Sequence, residues 1–176
     1  MQLTGSREIS APRSEVWNNL LSAETLKECV PGCQEMSGSP EDGFEAVVVQ
    51  KVGPVKATFK GGVMLSDMVE GESLKLSGEG KGGAAGFAKG EADVRLSDTE
   101  DGGTLLEYDV EAKVGGKLAQ LGSRIIDGFA KKMADQFFER FQQTVEGPVE
   151  KEATAEEPAA EEEGEKKGWL GRVLGS

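Results

Sequence analysis

Apolar positions along this chain follow two rhythms. From Gly43 to Val114 they alternate with polar ones, and from Ala112 to Phe141 they recur every third or fourth residue. The alternating part divides at turn signals into five strands: Gly43–Lys51, Pro54–Asp67, Glu72–Gly80, Phe87–Ser97 and Thr104–Val114. Gly53-Pro54, Glu70-Gly71, Gly82-Gly83 and Asp101-Gly102-Gly103 separate them, so an antiparallel meander is expected. Ahead of it, Gln2–Ser10 alternates weakly (Leu3, Gly5, Ile9) and reads as a first strand. Pro12 then suits a helix start, with a short helix running through Leu21. Ser22 suits the N-cap of a second short helix over Ala23–Lys27, and Val30-Pro31-Gly32-Cys33 breaks it and turns the chain.

The last pattern is the strongest. After Gly115-Gly116, the residues Leu118, Leu121, Ile125, Phe129, Met133 and Phe137 form one stripe, with Lys117, Arg124, Lys131, Lys132 and Arg140 mostly between them. This predicts one long amphipathic helix with a face meant for burial. The fold class is α+β: a curved antiparallel sheet wrapped around one long C-terminal helix. Glycines inside the strands (Gly61, Gly62, Gly78, Gly80, Gly86, Gly90) suit a strongly bent sheet, although GKGGAAG reads equally well as a hairpin tip. They lie between strands with no GK[ST] following, which argues against a phosphate cradle.

Composition narrows the chemistry. The chain has 176 residues, suggesting one domain plus a tail, and a formal net charge of −12, which argues against nucleic-acid binding. It contains no histidine, so Ser-His and Cys-His triads are excluded and the commonest metal ligand is missing. Cys29 and Cys33 alone are too few for a structural zinc site and read as loop or packing residues. No catalytic and no metal-ligating residue is assigned, and no covalent cofactor is expected. The N-terminus lacks signal-peptide character and no segment is apolar enough to span a bilayer, so a cytoplasmic protein is expected.

The end of the chain changes character. Residues 148–167 are mainly Glu, Ala, Pro and Lys, and are expected to form a disordered acidic linker. Residues 168–176 carry Trp169, Leu170, Val173 and Leu174 beside Lys166, Lys167 and Arg172. A Trp/Leu face flanked by cations suits weak, reversible contact with a membrane surface, or docking in a groove of a partner protein.

Several stretches together resemble the G-subunit family associated with carbon monoxide dehydrogenase. They are the PGC loop at Pro31–Cys33, KVGPVKATFKG at Lys51–Gly61, GFAKG at Gly86–Gly90 and, most specifically, VGGKLAQLGSRIIDGFAKKMADQFF at Val114–Phe138. The resemblance covers about residues 1–145 and implies the helix-grip fold of START-like (SRPBCC) domains, here placed at residues 1–147. It also implies a non-catalytic accessory role. The partner would be a molybdenum-containing carbon monoxide dehydrogenase, recruited to the inner face of the cell membrane. Helix-grip domains carry apolar ligands, and a quinone or other lipid would suit a dehydrogenase whose electrons must reach a respiratory chain.

A cavity between helix and sheet is the candidate site. Its expected wall is Leu118, Leu121, Ile125, Phe129 and Met133 from the helix, with Phe59, Phe87, Leu106, Tyr108 and Val110 from the strands. Small residues (Ala57, Gly61, Gly78, Gly90, Ala92, Ala112) stand where bulky ones would fill a core. Aromatic and Met side chains suit a flat or flexible apolar ligand. Tyr108 is the only tyrosine, and if it points inward its hydroxyl needs a partner, in the protein or on a ligand. Asp127, Asp135, Glu91 and Asp93 read as solvated surface. Three readings stay open at this point: a ligand carrier that recruits the dehydrogenase, a ligand-free assembly factor, and, least favoured without His or convergent acids, an enzyme.

Overall fold

The structure is a computed structural model that describes residues 1–147. The elements run β1 (Gln2–Ile9), α1 (Arg13–Leu20), α2 (Ala23–Cys29), β2 (Cys33–Ser39), β3 (Gly43–Val52), β4 (Val55–Val69), β5 (Ser73–Lys81), β6 (Phe87–Asp98), β7 (Thr104–Gly115), α3 (Lys117–Gln120) and α4 (Ser123–Glu146). One compact unit spans Met1–Phe141, and a second begins at Gln142, of which only residues 142–147 are described. The expected linker and terminal segment, including Trp169, Leu170, Val173 and Leu174, lie outside the described residues.

The seven strands of the described residues join one antiparallel sheet in the order β1-β7-β6-β5-β4-β3-β2. Strands β2 to β7 follow one another as hairpins, and β1 closes the series against β7. Their tight turns use the punctuation seen in the sequence: Gly53 (φ +57°) turns β3 into β4 and Gly71 (φ +75°) turns β4 into β5. The two short helices fill the connection between β1 and β2. Ser22 caps α2, its Oγ accepting from the Thr25 N–H at 3.3 Å. Arg13 ties α1 to the sheet: its Nε donates to Asp98 at 2.8 Å and its Nη1 to the Gly71 carbonyl at 2.9 Å.

Two elements depart from the sequence reading. β2 is a strand that the alternation does not reveal: CQEMSGS offers one large apolar residue, Met36, because as an outer strand it has a neighbour only in β3. The C-terminal helix is also two pieces. Gly122, at φ +90°, separates α3 from α4 and resets the helical phase. Leu118 is buried in α3, but in α4 the buried stripe runs through Ile126, Phe138 and Phe141, and Ile125 is 41% exposed. A single unbroken stripe through Leu118, Leu121 and Ile125 would need a continuous helix, which the left-handed conformation at Gly122 forbids.

Candidate functional site

Strand alternation decides which side chains meet the helix. Three rows cross the concave face of the sheet. One reads Ala46–Gly61–Gly80–Ala88, the next Val63–Gly78–Gly90–Ala112, and the third Leu76–Ala92–Val110–Leu3. Two adjacent rows thus hold almost nothing larger than a methyl group at the middle of the sheet. The glycines there do two different jobs. A Cβ on Gly61 would lie 1.9 Å from the Glu79 carbonyl oxygen, and one on Gly90 2.4 Å from that of Glu111, so these two permit close approach of bent strands. A Cβ on Gly80 would meet only Phe59 Cβ, at 3.8 Å, so its side chain is simply missing from open space.

The consequence is a cavity of about 570 Å³ above these rows. From α4 it is covered by Ala134, Phe137 and Phe138, and Leu20, Leu26 and Val30 bring in the short-helix region. The inward-facing wall is almost wholly apolar. At one side, Tyr108 and Phe138 stack with ring centroids 5.0 Å apart, and Phe137 and Phe141 stack at 5.7 Å. Arg7 lies over the Phe138 ring at 5.9 Å while its Nη2 donates to Asp135 at 2.8 Å, which ties β1 to α4 beside this aromatic group. Asp135 also accepts from Lys131 at 3.3 Å and is half exposed, so it acts in surface ion pairing. Tyr108 is 9% exposed, and its hydroxyl sits over Gly5, where an added Cβ would be 2.4 Å away. That hydroxyl makes no hydrogen bond to the described residues.

Of the ten expected wall residues, Phe59, Leu106, Tyr108 and Val110 line this cavity. The other six do not. Phe87 pairs in register with Lys81 on the convex face and is 37% exposed, its ring covering Gly115; one residue of alternation separates it from the inward Ala88. Leu118 belongs to a cluster with Val52 and Ile126, against which Leu121, Phe129 and the cavity residue Phe59 also pack. Ile125 is exposed, and Met133 gives way to Ala134, both because α4 starts in a new phase after Gly122. The sequence reading missed Phe44, Ala134 and Phe138 as wall residues. The i, i+4, i+8 series Ile126, Ala130, Ala134, reaching Phe138 one step further, was the available signal.

Neither cysteine forms a disulfide; Cys29 is buried and Cys33 half-buried. Burial pushes the Cys33 thiol above its ordinary value, outweighing its Sγ–H contact to the Glu35 carbonyl and the nearby Lys27. That makes it a poor nucleophile at neutral pH. Among the described residues there is no group of three or more His, Cys, Asp or Glu side chains placed to hold a metal ion.

The model of the CoxG family, the G subunit of carbon monoxide dehydrogenase, matches residues 5–146. The chain belongs to the CoxG family. Among solved structures, a conserved protein from Geobacillus kaustophilus is 30% identical, with a TM-score of 0.78 over 84% of this chain and 97% of that one. A START superfamily protein from Mycobacterium smegmatis is 14% identical, with a TM-score of 0.63 over 82% of this chain and 97% of that one, a likeness of fold. A protein from Rhizobium leguminosarum is similar at 14% identity and a TM-score of 0.64, covering 83% of this chain and 94% of that one. No curated protein matches the chain. The CoxG assignment and the curved sheet with its C-terminal helix agree: this is a START-like fold in a family of dehydrogenase accessory proteins. Among the described residues of this CoxG-family chain, no helix is long and apolar enough to cross a membrane.

Proposed function

We propose that this CoxG-family chain is a non-catalytic accessory protein of a molybdenum carbon monoxide dehydrogenase that binds an apolar ligand, a quinone or another lipid, and couples the enzyme to the membrane. The observation that carries the ligand part is the cavity of about 570 Å³, within the size range of small-molecule sites and lined by aliphatic and aromatic side chains around a phenol that makes no hydrogen bond to the described residues. A packed core would fill the two small-residue rows, because an unfilled void forfeits the dispersion contacts of its walls. An occupant restores them. The stacked Tyr108–Phe138 pair offers a flat face, and the Tyr108 hydroxyl can donate to a carbonyl oxygen, which favours a quinone over a simple acyl chain.

The family assignment supports the dehydrogenase as partner. Membrane coupling rests on the Trp169, Leu170, Val173 and Leu174 segment, joined to the domain by the acidic stretch, which would raise the local concentration of ligand or enzyme at the bilayer. The protein would then be peripheral to the inner face of the cell membrane.

Native mass spectrometry of the full chain, followed by organic extraction of what it carries, tests the ligand reading. A discrete quinone or lipid mass at one per chain is expected. A bare chain, still bare after incubation with membrane lipids, refutes it and leaves the ligand-free assembly factor. Deleting Gly168–Ser176 is expected to reduce liposome binding while leaving the domain folded; unchanged binding removes the anchor role.

A further inference from the structure

The convex face of the sheet carries a feature that neither the cavity nor the tail uses. At the hairpin-tip end, cross-strand register places lysine directly opposite lysine three times: Lys51 with Lys56, Lys60 with Lys81, and Lys89 with Lys113. Alternation from the inward Val52, Phe59, Gly80 and Ala88 puts all six on the outer surface, where each is exposed. Among the described residues, none of the six forms a salt bridge. Like charges directly opposite in an antiparallel pair destabilise the sheet, so three such pairs in a chain of net charge −12 oppose folding stability. On β3 to β7, Glu45 and Glu79 are the acidic residues in the same rows, Glu79 faces Lys89, and the next row on this face sets Glu91 opposite Glu111. The six lysines outnumber these four glutamates, and the excess lies at the hairpin tips, where the Lys51–Lys56 row and the Lys60–Lys81 row hold no acid on β3 to β7.

Apolar side chains are set among these lysines. Phe87, 37% exposed, lies opposite Lys81, and Val47 lies opposite Lys60. Around the end of the same hairpin, Ile125 is 41% exposed and comes within 3.4 Å of where a Gly53 Cβ would be. We infer that this hairpin-tip face is a docking surface for an anionic lipid bilayer, with the lysines at the headgroup phosphates and Phe87 and Ile125 at the acyl boundary. Two points favour a bilayer over an acidic protein. The sheet patch uses lysine without arginine: flexible point charges suit a diffuse anionic surface, whereas specific protein interfaces are enriched in arginine and depleted in lysine. Aromatic and aliphatic side chains interleaved with lysines are also the composition of interfacial membrane contacts. The surface acts independently of what fills the cavity and of the terminal segment.

The test is co-sedimentation of the full-length protein with vesicles of phosphatidylcholine alone and of phosphatidylcholine mixed with phosphatidylglycerol, at low and high salt. The variant is Lys60→Gln with Lys81→Gln, beside a charge-matched control, Lys27→Gln with Lys132→Gln. The patch variant is expected to lose roughly tenfold in partitioning onto the anionic vesicles at low salt, with the control close to wild type. The same loss is expected in a Trp169→Ser background, which separates this face from the tail, and Phe87→Ser is expected to weaken binding at unchanged circular dichroism. Equal partitioning of patch variant and wild type overturns the inference. So does an equal loss in the control, which would mean that net charge alone governs binding. Intact vesicle binding with weakened capture of the dehydrogenase would make the face a protein interface and overturn it as well.

Discussion

Replacing Gly80 by valine tests the cavity without touching the backbone. The position lies in a row of small residues on the concave face, its added Cβ would have only Phe59 Cβ near it, at 3.8 Å, and its φ is not positive. Valine adds three carbons, worth about 2.4 kcal/mol if fully buried at ~0.8 kcal/mol per methylene. Gly80 is half-buried, so about half of that, roughly 1.2 kcal/mol, is the reasonable share. Removing a glycine from the unfolded chain adds about 0.4–1 kcal/mol. The ligand-free domain should therefore gain roughly 2 kcal/mol, or about 4–8 °C in Tm for a chain of this size, read by differential scanning calorimetry. Ligand uptake should fall, because the new side chain occupies its space. Gly90→Ala is the paired control. Its methyl would lie 2.4 Å from the Glu111 carbonyl oxygen, so β6 and β7 must separate and the domain should lose about 1–3 kcal/mol. A Gly80→Val protein that melts lower than wild type would refute the reasoning, since it would mean the site is already filled.

Three further outcomes follow from individual contacts. Tyr108→Phe should keep the stacking on Phe138 and the melting temperature, yet weaken a carbonyl-bearing quinone by roughly three- to tenfold in a fluorescence titration while leaving a plain alkyl lipid unaffected. Thr104 is fully buried and its hydroxyl donates to the Ala11 carbonyl at 2.7 Å; Thr104→Val should cost about 1–3 kcal/mol, seen as a lower urea midpoint at unchanged slope. The Thr99 hydroxyl, helped by the backbone N–H groups of Asp101 and Gly103, holds the Asp101 carboxyl below its ordinary 3.8. A depressed carboxyl stabilises the β6–β7 turn above its unfolded value and loses that effect as pH falls through its folded value. A carbon-13 titration should thus place the Asp101 midpoint below 3.8, and Thr99→Val should move it upward.

Period-two alternation located six of the seven strands, because their inward residues must be apolar to cover the concave face and their outward ones polar to meet water. It missed β2, where one apolar residue in seven leaves no rhythm to read. Proline and serine marked the starts of the two short helices, since Pro12 and the Ser22 hydroxyl act locally on backbone groups a few residues away. Half-buried sheets and local caps are written in short stretches of chain, which is why the α+β class was legible there.

The cavity wall was not legible to the same depth. Phe59, Leu106, Tyr108 and Val110 came from alternation within single strands, but Phe87 sits one residue out of phase with the inward set, and only its pairing with Lys81 shows this. The helix contribution shifted from Ile125 and Met133 toward Ile126, Ala134 and Phe138 through one left-handed glycine, Gly122. The sequence by itself determined the six strands with an alternating pattern, the two short helices and a helical C-terminal stretch, and that small residues are concentrated in the middle strands. Only the tertiary structure decided that those residues stand in adjacent rows under α4 and leave a void, and that six lysines from three hairpin pairings share one surface. Both are matters of cross-strand register, which depends on hydrogen bonds between segments distant in the chain and has no signature within any one of them.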